Sequence, residues 1–200
     1  MTTTRRTQAQ RRAEAEAALL MAAAELIDEQ GVRSLTLARV GERAGYSRGL
    51  VTHHFGTKQA LVARLAHAAQ AGFVPGLDGL PPGLDRLLRL IDGYVGQLGR
   101  MGVLNRVFLL LWAEAATAPD LAPVFRERGE AFRADLCEEL AAGIAEGTVR
   151  PDVAPEETAT AIFAQLRGLG MQRLVDPGST DTERLRAHVV EHWRRALIRT

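Results

Sequence analysis

The sequence predicts an all-α protein in which a small N-terminal helical module precedes a larger helical bundle. The 200 residues are 46% hydrophobic and rich in Ala, Leu, Arg and Glu, which favour helices. Apolar residues recur at helical spacing along most of the chain, and no long stretch follows the two-residue period of a strand. Short segments with Gly, Pro, Ser and Asp separate the helical patterns, as expected at helix ends.

The first element is a helix over about Gln8–Gln30, with an apolar stripe and Gly31 as its stop. Residues 35–55 then predict two short helices joined by a tight turn. Thr36 can cap the first of these helices, and Ser47 can cap the second.

The second short helix runs from Arg48 to Phe55. Val51 and Phe55 are four residues apart, so they lie on one face and can anchor the helix to a core. An outward face remains, formed by Arg48, Leu50, Thr52 and His53. A short capped helix with such a face suits insertion into a DNA major groove, which makes this segment a predicted helix-turn-helix.

The elements behind this motif predict the larger bundle. A connecting helix, which Thr57 can cap, begins at about Lys58, and residues 75–83 form the clearest linker. The total is eight or nine helices and no sheet, the last five covering about 84–100, 104–117, 119–146, 155–175 and 181–198. The predicted domains are therefore 1–56 and 57–200.

The charge distribution agrees with a DNA-binding N-terminus. Residues 1–60 carry eight Arg and one Lys against six acidic residues, whereas residues 61–200 carry sixteen Arg against eighteen. No apolar run reaches the ~18 residues of a membrane span, and no apolar signal-peptide core follows the basic N-terminus. We therefore expect a cytoplasmic protein without a membrane partner. Its single cysteine, Cys137, excludes an intrachain disulfide and is expected in a half-buried or core position.

Four segments carry a resemblance to a known family. They are AAAELIDEQG at 22–31, SLTL at 34–37, VGERAGYSRG at 40–49 and HFGTK at 54–58. In order and spacing they resemble the TetR family of bacterial transcriptional regulators.

The resemblance implies an all-helical homodimer of nine-helix subunits. It implies that each third helix enters a major groove of a near-palindromic operator, and that the last two long helices form most of the dimer interface. It further implies a small-molecule cavity in the C-terminal bundle, with repression until a ligand binds. Residues 1–56 would then bind DNA, and residues 57–200 would bind ligand and dimerise.

The residues of the motif can be given roles on DNA. Arg48 can donate two parallel hydrogen bonds to guanine, or else contact phosphate, and Gly49 permits close approach of the helix backbone. Lys58 lies at a helix N-terminus, where charge and free amides favour a phosphate. The full predicted DNA-binding set is Thr36, Tyr46, Ser47, Arg48, Gly49, Leu50, Thr52, His53, His54 and Lys58.

The motif departs from the family pattern at two positions. Thr52 stands where the family usually has a tyrosine that contacts phosphate, and Tyr46 stands where a small aliphatic residue is commoner. Tyr46 could supply a displaced phosphate contact or pack in the turn, and we favour packing. The N-terminus also carries a basic arm, formed by Arg5, Arg6, Arg11 and Arg12. Such an arm can enter a minor groove, but we expect a solvated tail here.

Two further sets of residues are predicted in the bundle. The large apolar side chains indicate a pocket for a small, mostly apolar effector, although ordinary core is the commoner role for any one of them. The pocket candidates are Tyr94, Met101, Phe108, Trp112, Phe132 and Met171, together with Phe73. The dimer candidates are Phe163, Leu166, Gly170, Leu185, Val189 and Trp193.

Other kinds of function remain as alternatives. His53 and His54 point about 100° apart on a helix, so they do not form a metal pair, and we expect neither a metal nor a cofactor. No nucleophile turn or phosphate-binding Gly loop predicts an enzyme. A helical interaction or ligand-binding protein without inducer-controlled repression is the competing interpretation.

Overall fold

The computed structural model describes residues 7–70, 77, 79–178 and 181–198. These residues form nine α-helices and one 3-10 turn, Val32–Ser34, and they include no strand, which confirms the all-α prediction. Among the helices, none combines the length and the apolarity that a membrane span requires. They are α1 Gln8–Gln30, α2 Leu37–Ala44, α3 Arg48–Phe55, α4 Lys58–Gln70, α5 Leu84–Gly99, α6 Val103–Glu114, α7 Ala122–Ala145, α8 Pro155–Val175 and α9 Thr182–Leu197.

One compact unit groups α1 to α4 with α6. Leu19, Ile27, Val51 and Leu61 are completely buried in it. Helix α6 packs against both α1 and α4. The Nε atom of Arg106 in α6 also donates to Asp28 Oδ1 of α1 at 2.7 Å. Helix α6 is therefore part of the support on which the helix-turn-helix rests.

A second compact unit contains α5, α7, α8 and α9. Helix α9 packs along α5, and Arg186 of α9 donates from Nε and Nη2 to both carboxylate oxygens of Asp92, each at 2.6 Å. Buried Glu139 of α7 accepts from the backbone N–H of Gly83 at 2.8 Å and from Arg86. These bonds fix the start of α5.

The predicted functional division after residue 56 stays a prediction. Packing groups the elements in another way, because α4 and α6 both pack on α1 and so belong to the unit of the helix-turn-helix.

The predicted helix caps are present. Thr36 Oγ1 accepts from the Arg39 N–H at 3.3 Å, and Ser47 Oγ accepts from the Leu50 N–H at 3.3 Å. Thr57 Oγ1 accepts from the Ala60 N–H at 3.1 Å. Each side-chain oxygen satisfies an amide that has no partner inside its own helix.

Two predicted helix boundaries are wrong in detail. Helix α6 ends at Glu114 rather than at about 117. Helix α7 begins at Ala122 rather than at 119. The N–H groups of Leu121 and Ala122 both donate to the Ala118 carbonyl, so a turn precedes the helix.

A side chain at Gly41 would disturb the contact between α2 and the turn that follows it. A Cβ there would lie 2.8 Å from the carbonyl oxygen of Tyr46 and 3.2 Å from a Val51 methyl. We predict that Gly41→Ala lowers the free energy of unfolding by about 1–3 kcal/mol, as overpacking does. Urea unfolding measures this change.

Gly49→Ala is the matched control for that experiment, since a Cβ at Gly49 meets nothing nearer than Ser47 Oγ at 3.7 Å. In an exposed helix this change should raise stability by roughly 0.5–1 kcal/mol. Equal effects of the two substitutions would show that the packing at Gly41 is not tight.

The ion pair between α5 and α9 predicts a pH dependence of stability. Hydrogen bonds from Arg186 hold the pKa of Asp92 below its ordinary value of 3.8, and partial burial opposes them. The folded state therefore keeps this carboxylate ionised where the unfolded chain protonates it. The resulting stabilisation is complete above that value and disappears as the pH falls through the folded-state pKa.

Arg186→Gln should therefore destabilise the protein near neutral pH, with the difference from the wild type shrinking below about pH 4. Urea unfolding at several pH values measures the difference, with exposed Arg184→Gln on the same helix as control. A difference that stays constant to low pH would contradict the assignment.

Candidate functional site

Helix α3 is anchored in the core on one side and exposed on the other. Val51 is completely buried and Phe55 is 8% exposed, so one side of the helix is anchored in the core. Of the ten predicted DNA-binding residues, seven are exposed and three are half-buried. The exposed ones are Thr36, Tyr46, Ser47, Arg48, Gly49, Thr52 and His53, and the half-buried ones are Leu50, His54 and Lys58.

Tyr46 stays a candidate for both of its predicted roles, packing and a phosphate contact, because 38% of its surface is exposed and the rest is covered. The Tyr46 N–H donates to the Gly41 carbonyl at 2.8 Å, while Gly45 turns the chain in the left-handed region with φ 74°. The Tyr46 side chain keeps accessible surface, as do its chain neighbours Ser47 and Arg48.

Thr52 is exposed, but its hydroxyl is engaged. The Oγ1 atom donates to the carbonyl of Arg48, one turn earlier in α3, at 3.1 Å. In this arrangement Thr52 can contact a neighbouring molecule through its methyl group, and its oxygen can accept a hydrogen bond.

Lys58 holds the start of α4 against the 3-10 turn. Its ammonium group donates to the carbonyl oxygen of Val32 at 3.0 Å and to that of Arg33 at 3.4 Å. An ammonium group has three donors, so one remains for a further acceptor. The positive charge thus lies beside the helix-turn-helix in a fixed position.

Arginines of α2 fix this helix against α1. Arg43 donates to both carboxylate oxygens of Glu29, at 2.8 and 2.7 Å, and to Glu25 at 3.2 Å. Arg39 donates to the carbonyl of Ser34 at 2.9 Å and to the side chain of Gln30. The hydrogen bonds from Arg43 hold the pKa of Glu29 below its ordinary value.

The two adjacent histidines show no sign of a metal pair. The rings of His53 and His54 meet edge to face, with centroids 6.1 Å apart. The described part of the chain contains no group of three His, Cys, Asp or Glu residues that could hold a metal ion. Cys137 is half-buried, and burial raises the pKa of its thiol, so the thiolate is disfavoured.

The predicted pocket residues are distributed over both compact units. Phe108, which is buried, and Trp112, which is half-buried, lie in α6. The second unit contains Tyr94, Phe132, Met101 and Met171. Phe73 lies outside the described residues, as do Arg5 and Arg6 of the basic arm, whereas Arg11 and Arg12 are exposed in α1.

In the second unit, aromatic side chains meet around an arginine that the sequence interpretation did not select. Arg167 of α8 is only 6% exposed, and its Nη1 donates to the hydroxyl of Tyr94 at 2.9 Å. Its guanidinium carbon lies 5.7 Å from the ring centre of Tyr94, 5.9 Å from that of Phe132 and 5.1 Å from that of Phe163. The sequence could have indicated that Arg167 is buried, because it lies four residues after Phe163 on the apolar face of α8.

The six predicted dimer residues fall into two groups. Leu166, Gly170 and Val189 are buried within the subunit, so they belong to its own core. Phe163, Leu185 and Trp193 are half-buried and keep accessible surface.

Two family models match this chain over the elements just described. The model for bacterial regulatory proteins of the tetR family matches residues 19–65, which include α2 and α3. The model for the C-terminal region of BetI-type transcriptional repressors matches residues 83–198, more than half of the chain. The chain belongs to the TetR family of bacterial regulatory proteins.

Individual relatives of this TetR-family protein agree with the models. The HTH-type transcriptional regulator BetI 1 of Chromohalobacter salexigens is 24% identical over 187 residues, which cover 91% of this chain and 90% of the relative. The solved structure of NalD, the secondary repressor of the MexAB-OprM multidrug efflux pump in Pseudomonas aeruginosa, is 26% identical. The two structures superpose with a TM-score of 0.73, and the match covers 94% of this chain and 98% of NalD.

A third relative agrees in fold. A transcriptional regulator from Saccharomonospora viridis, solved in complex with choline, has a TM-score of 0.78 at 22% identity. The match covers 94% of this chain and all of that one. The family resemblance and the all-helical fold predicted from the sequence are thereby confirmed.

The exposure of Tyr46 yields a prediction for DNA binding by this TetR-family regulator. Tyr46→Phe removes only the hydroxyl, which we expect to donate to a backbone phosphate. The change should weaken binding to every duplex by about 1 kcal/mol, or roughly fivefold, with no change in sequence preference. Fluorescence anisotropy with a specific and a random duplex measures both affinities.

The same variant should keep its urea-unfolding midpoint, because Tyr46 is an exposed residue and the substitution keeps its aromatic ring. Unchanged affinity for both duplexes would mean that this side chain does not contact DNA.

Proposed function

We propose that the protein is a homodimeric repressor that binds a near-palindromic operator through α3 and is released when a small molecule binds the second compact unit. The observation that carries this proposal is the exposed face of α3, on a capped helix whose opposite side is anchored by Val51 and Phe55. Acting on the chromosome, such a regulator would work in the cytoplasm.

Base recognition would come from the exposed face of α3. The guanidinium of Arg48 can donate two parallel hydrogen bonds to O6 and N7 of a guanine, and His53 is the other candidate for a base edge. Leu50 and Thr52 can contact a thymine methyl, which agrees with the engaged hydroxyl of Thr52. Around Gly49 the nearest atom to a Cβ would be 3.7 Å away, so the surface is open for close approach.

Phosphate contacts would fix the register of α3 in the groove without reading sequence. Lys58 has one ammonium donor left and lies at the N-terminus of α4, where free amides also favour an anion. The N-terminal ends of α2 and α3, with exposed Thr36 and Ser47, offer the same kind of site, and His54 can contribute at the end of α3.

A second copy of the chain would complete the DNA-binding form, because a two-fold dimer presents two recognition helices to two half-sites. Phe163, Leu185 and Trp193 are the predicted interface residues that keep accessible surface. Gly168 in α8 adds support, since no atom lies within 4 Å of its Cβ position and a helix from a partner could approach there. We infer that the dimer forms mainly through α8 and α9.

Release by a small molecule requires that the ligand bind two states of the dimer with different affinity. The solved relatives include a regulator in complex with choline and a repressor of a multidrug efflux pump, so ligand-responsive repression is the function that the family membership supports. The aromatic cluster at Tyr94 and Phe132 is the part of the predicted pocket that its contacts support best.

Selection of tight-binding duplexes from a random DNA pool, with purified protein at about 0.15 M salt, tests this function. An enriched motif with two-fold symmetry would support a sequence-specific dimer. No enrichment with folded protein would contradict the proposal and favour an interaction or ligand-binding protein.

Arg48→Ala should then relax the preference at one base pair in each half-site of the selected motif, at roughly 1–3 kcal/mol. The physical reason is the loss of a paired contact to one guanine edge. Competition binding against single-base variants of the motif measures the change. Exposed Arg126→Ala in α7 removes the same charge outside the predicted interface and should leave the preference intact. An unchanged preference in Arg48→Ala would place base recognition on other residues.

A further inference from the structure

The aromatic cluster of the second unit already contains a cation that belongs to the protein. The guanidinium of Arg167 lies 5.1 to 5.9 Å from the ring centres of Tyr94, Phe132 and Phe163. The rings of Phe132 and Phe163 also contact each other, with centroids 5.8 Å apart. Aromatic faces attract cations at this range, and ammonium ligands are bound by aromatic cages for the same reason. Arg167 thus occupies the position that a cationic ligand would need.

Arg167 is held in this position rather than free to leave it. It is 6% exposed, and its Nη1 donates to the Tyr94 hydroxyl at 2.9 Å. Burial raises the pKa of that hydroxyl, so Tyr94 remains a neutral phenol that accepts this bond. Guanidinium keeps its charge throughout the accessible pH range, and a second buried cation beside it would be repelled.

A second arginine, Arg133 of α7, contacts the same cluster, and Arg128 of α7 lies within electrostatic range of Arg167. The guanidinium carbon of Arg133 lies 5.4 Å from the ring centre of Phe163. Gly129 makes room for this contact, since a Cβ there would lie 3.3 Å from Arg133 Nη1 and 3.6 Å from Phe163 Cζ. Burial lowers the pKa of Arg128, the neighbouring Glu127 opposes this, and the positive charge of Arg167 lowers the pKa further. The aromatic cluster therefore lies in a region of concentrated positive charge.

The outer part of this cluster is accessible. Phe132, Phe163, Arg128 and Arg133 are half-buried, whereas Tyr94 and Arg167 are buried. A molecule can therefore place an anionic group on the guanidinium edges and cover the exposed parts of the two phenylalanine rings, while Arg167 stays where it is. Guanidinium groups bind carboxylates with paired hydrogen bonds, and the rings offer apolar surface to the rest of the ligand.

We propose that Arg167 determines the charge class of the effector: the cluster of Tyr94, Phe132, Phe163, Arg128, Arg133 and Arg167 takes an amphipathic anion such as a carboxylate and excludes quaternary ammonium cations. This inference rests on the proposed function in that it assigns the effector to the second compact unit. The sequence predicts a small, mostly apolar effector, and the present inference specifies that this effector also carries a negative charge.

Calorimetric titration of the full-length protein with two probes of equal chain length tests the proposal. The probes are octanoate and octyltrimethylammonium, each used well below the concentration at which it forms micelles. The wild type should bind octanoate at least about tenfold more tightly than octyltrimethylammonium, because the sign of the ligand charge decides the interaction with the arginines. Choline, as a compact quaternary ammonium, should not bind.

Arg167→Met removes the guanidinium and keeps an unbranched apolar side chain. It should weaken octanoate binding and strengthen octyltrimethylammonium binding, so that the ratio of the two affinities shifts by about tenfold or more. Arg126→Met, on the exposed side of α7, is the matched control and should preserve the wild-type ratio. Should Arg167→Met fail to fold, Arg133→Met replaces it. That variant should weaken octanoate binding without weakening octyltrimethylammonium binding.

Three results would overturn the inference: equal or tighter binding of octyltrimethylammonium by the wild type, no binding of octanoate, or an unchanged ratio in Arg167→Met. Operator affinity is measured separately by anisotropy, with and without each probe. Octanoate binding that depends on Arg167 but leaves operator affinity unchanged would support the charge class and contradict ligand-controlled release. Loss of operator binding in every form would contradict only the proposed DNA-binding function.

Discussion

An eight-residue helix cannot hold its conformation alone in water, so the proposed DNA-binding surface of this protein depends on how α3 is packed. Val51 and Phe55 anchor the helix, and the absence of a side chain at Gly41 lets α2 approach the carbonyl of Tyr46. That close approach, with the hydrogen bond from the Tyr46 N–H to the Gly41 carbonyl, holds the turn that leads into α3. The exposed position of Arg48 follows from the same packing, since the opposite face of the helix is buried.

The same design, a charge held in place by contacts inside the fold, recurs in both compact units. In the first, Arg43 is fixed on Glu25 and Glu29, and Lys58 is fixed on two carbonyl oxygens. In the second, Arg167 is fixed among aromatic rings and on the Tyr94 hydroxyl. Groups that are already in position lose little conformational entropy when a partner arrives. A phosphate backbone and an anionic effector are partners that such positive groups suit.

Local rules predicted much of this structure from the sequence. Thr36, Ser47 and Thr57 cap helices because their side chains reach nearby amides, and α8 has the predicted bounds of Pro155–Val175. The family was recognisable because its motif is contiguous. Properties that depend on distant residues were not predictable in this way. The turn at Tyr46 depends on a close approach to Gly41, and the burial of Arg167 depends on rings from α5 and α7.

The central claim is that α3 reads the major groove, and methylation interference on a selected operator tests it most directly. Methylation at guanine N7 modifies the major groove, whereas methylation at adenine N3 modifies the minor groove. The account predicts that guanine N7 methylation in both half-sites blocks binding, at positions separated by about one helical turn or a multiple of it. Interference at adenine N3 alone, or at neither atom, would contradict it.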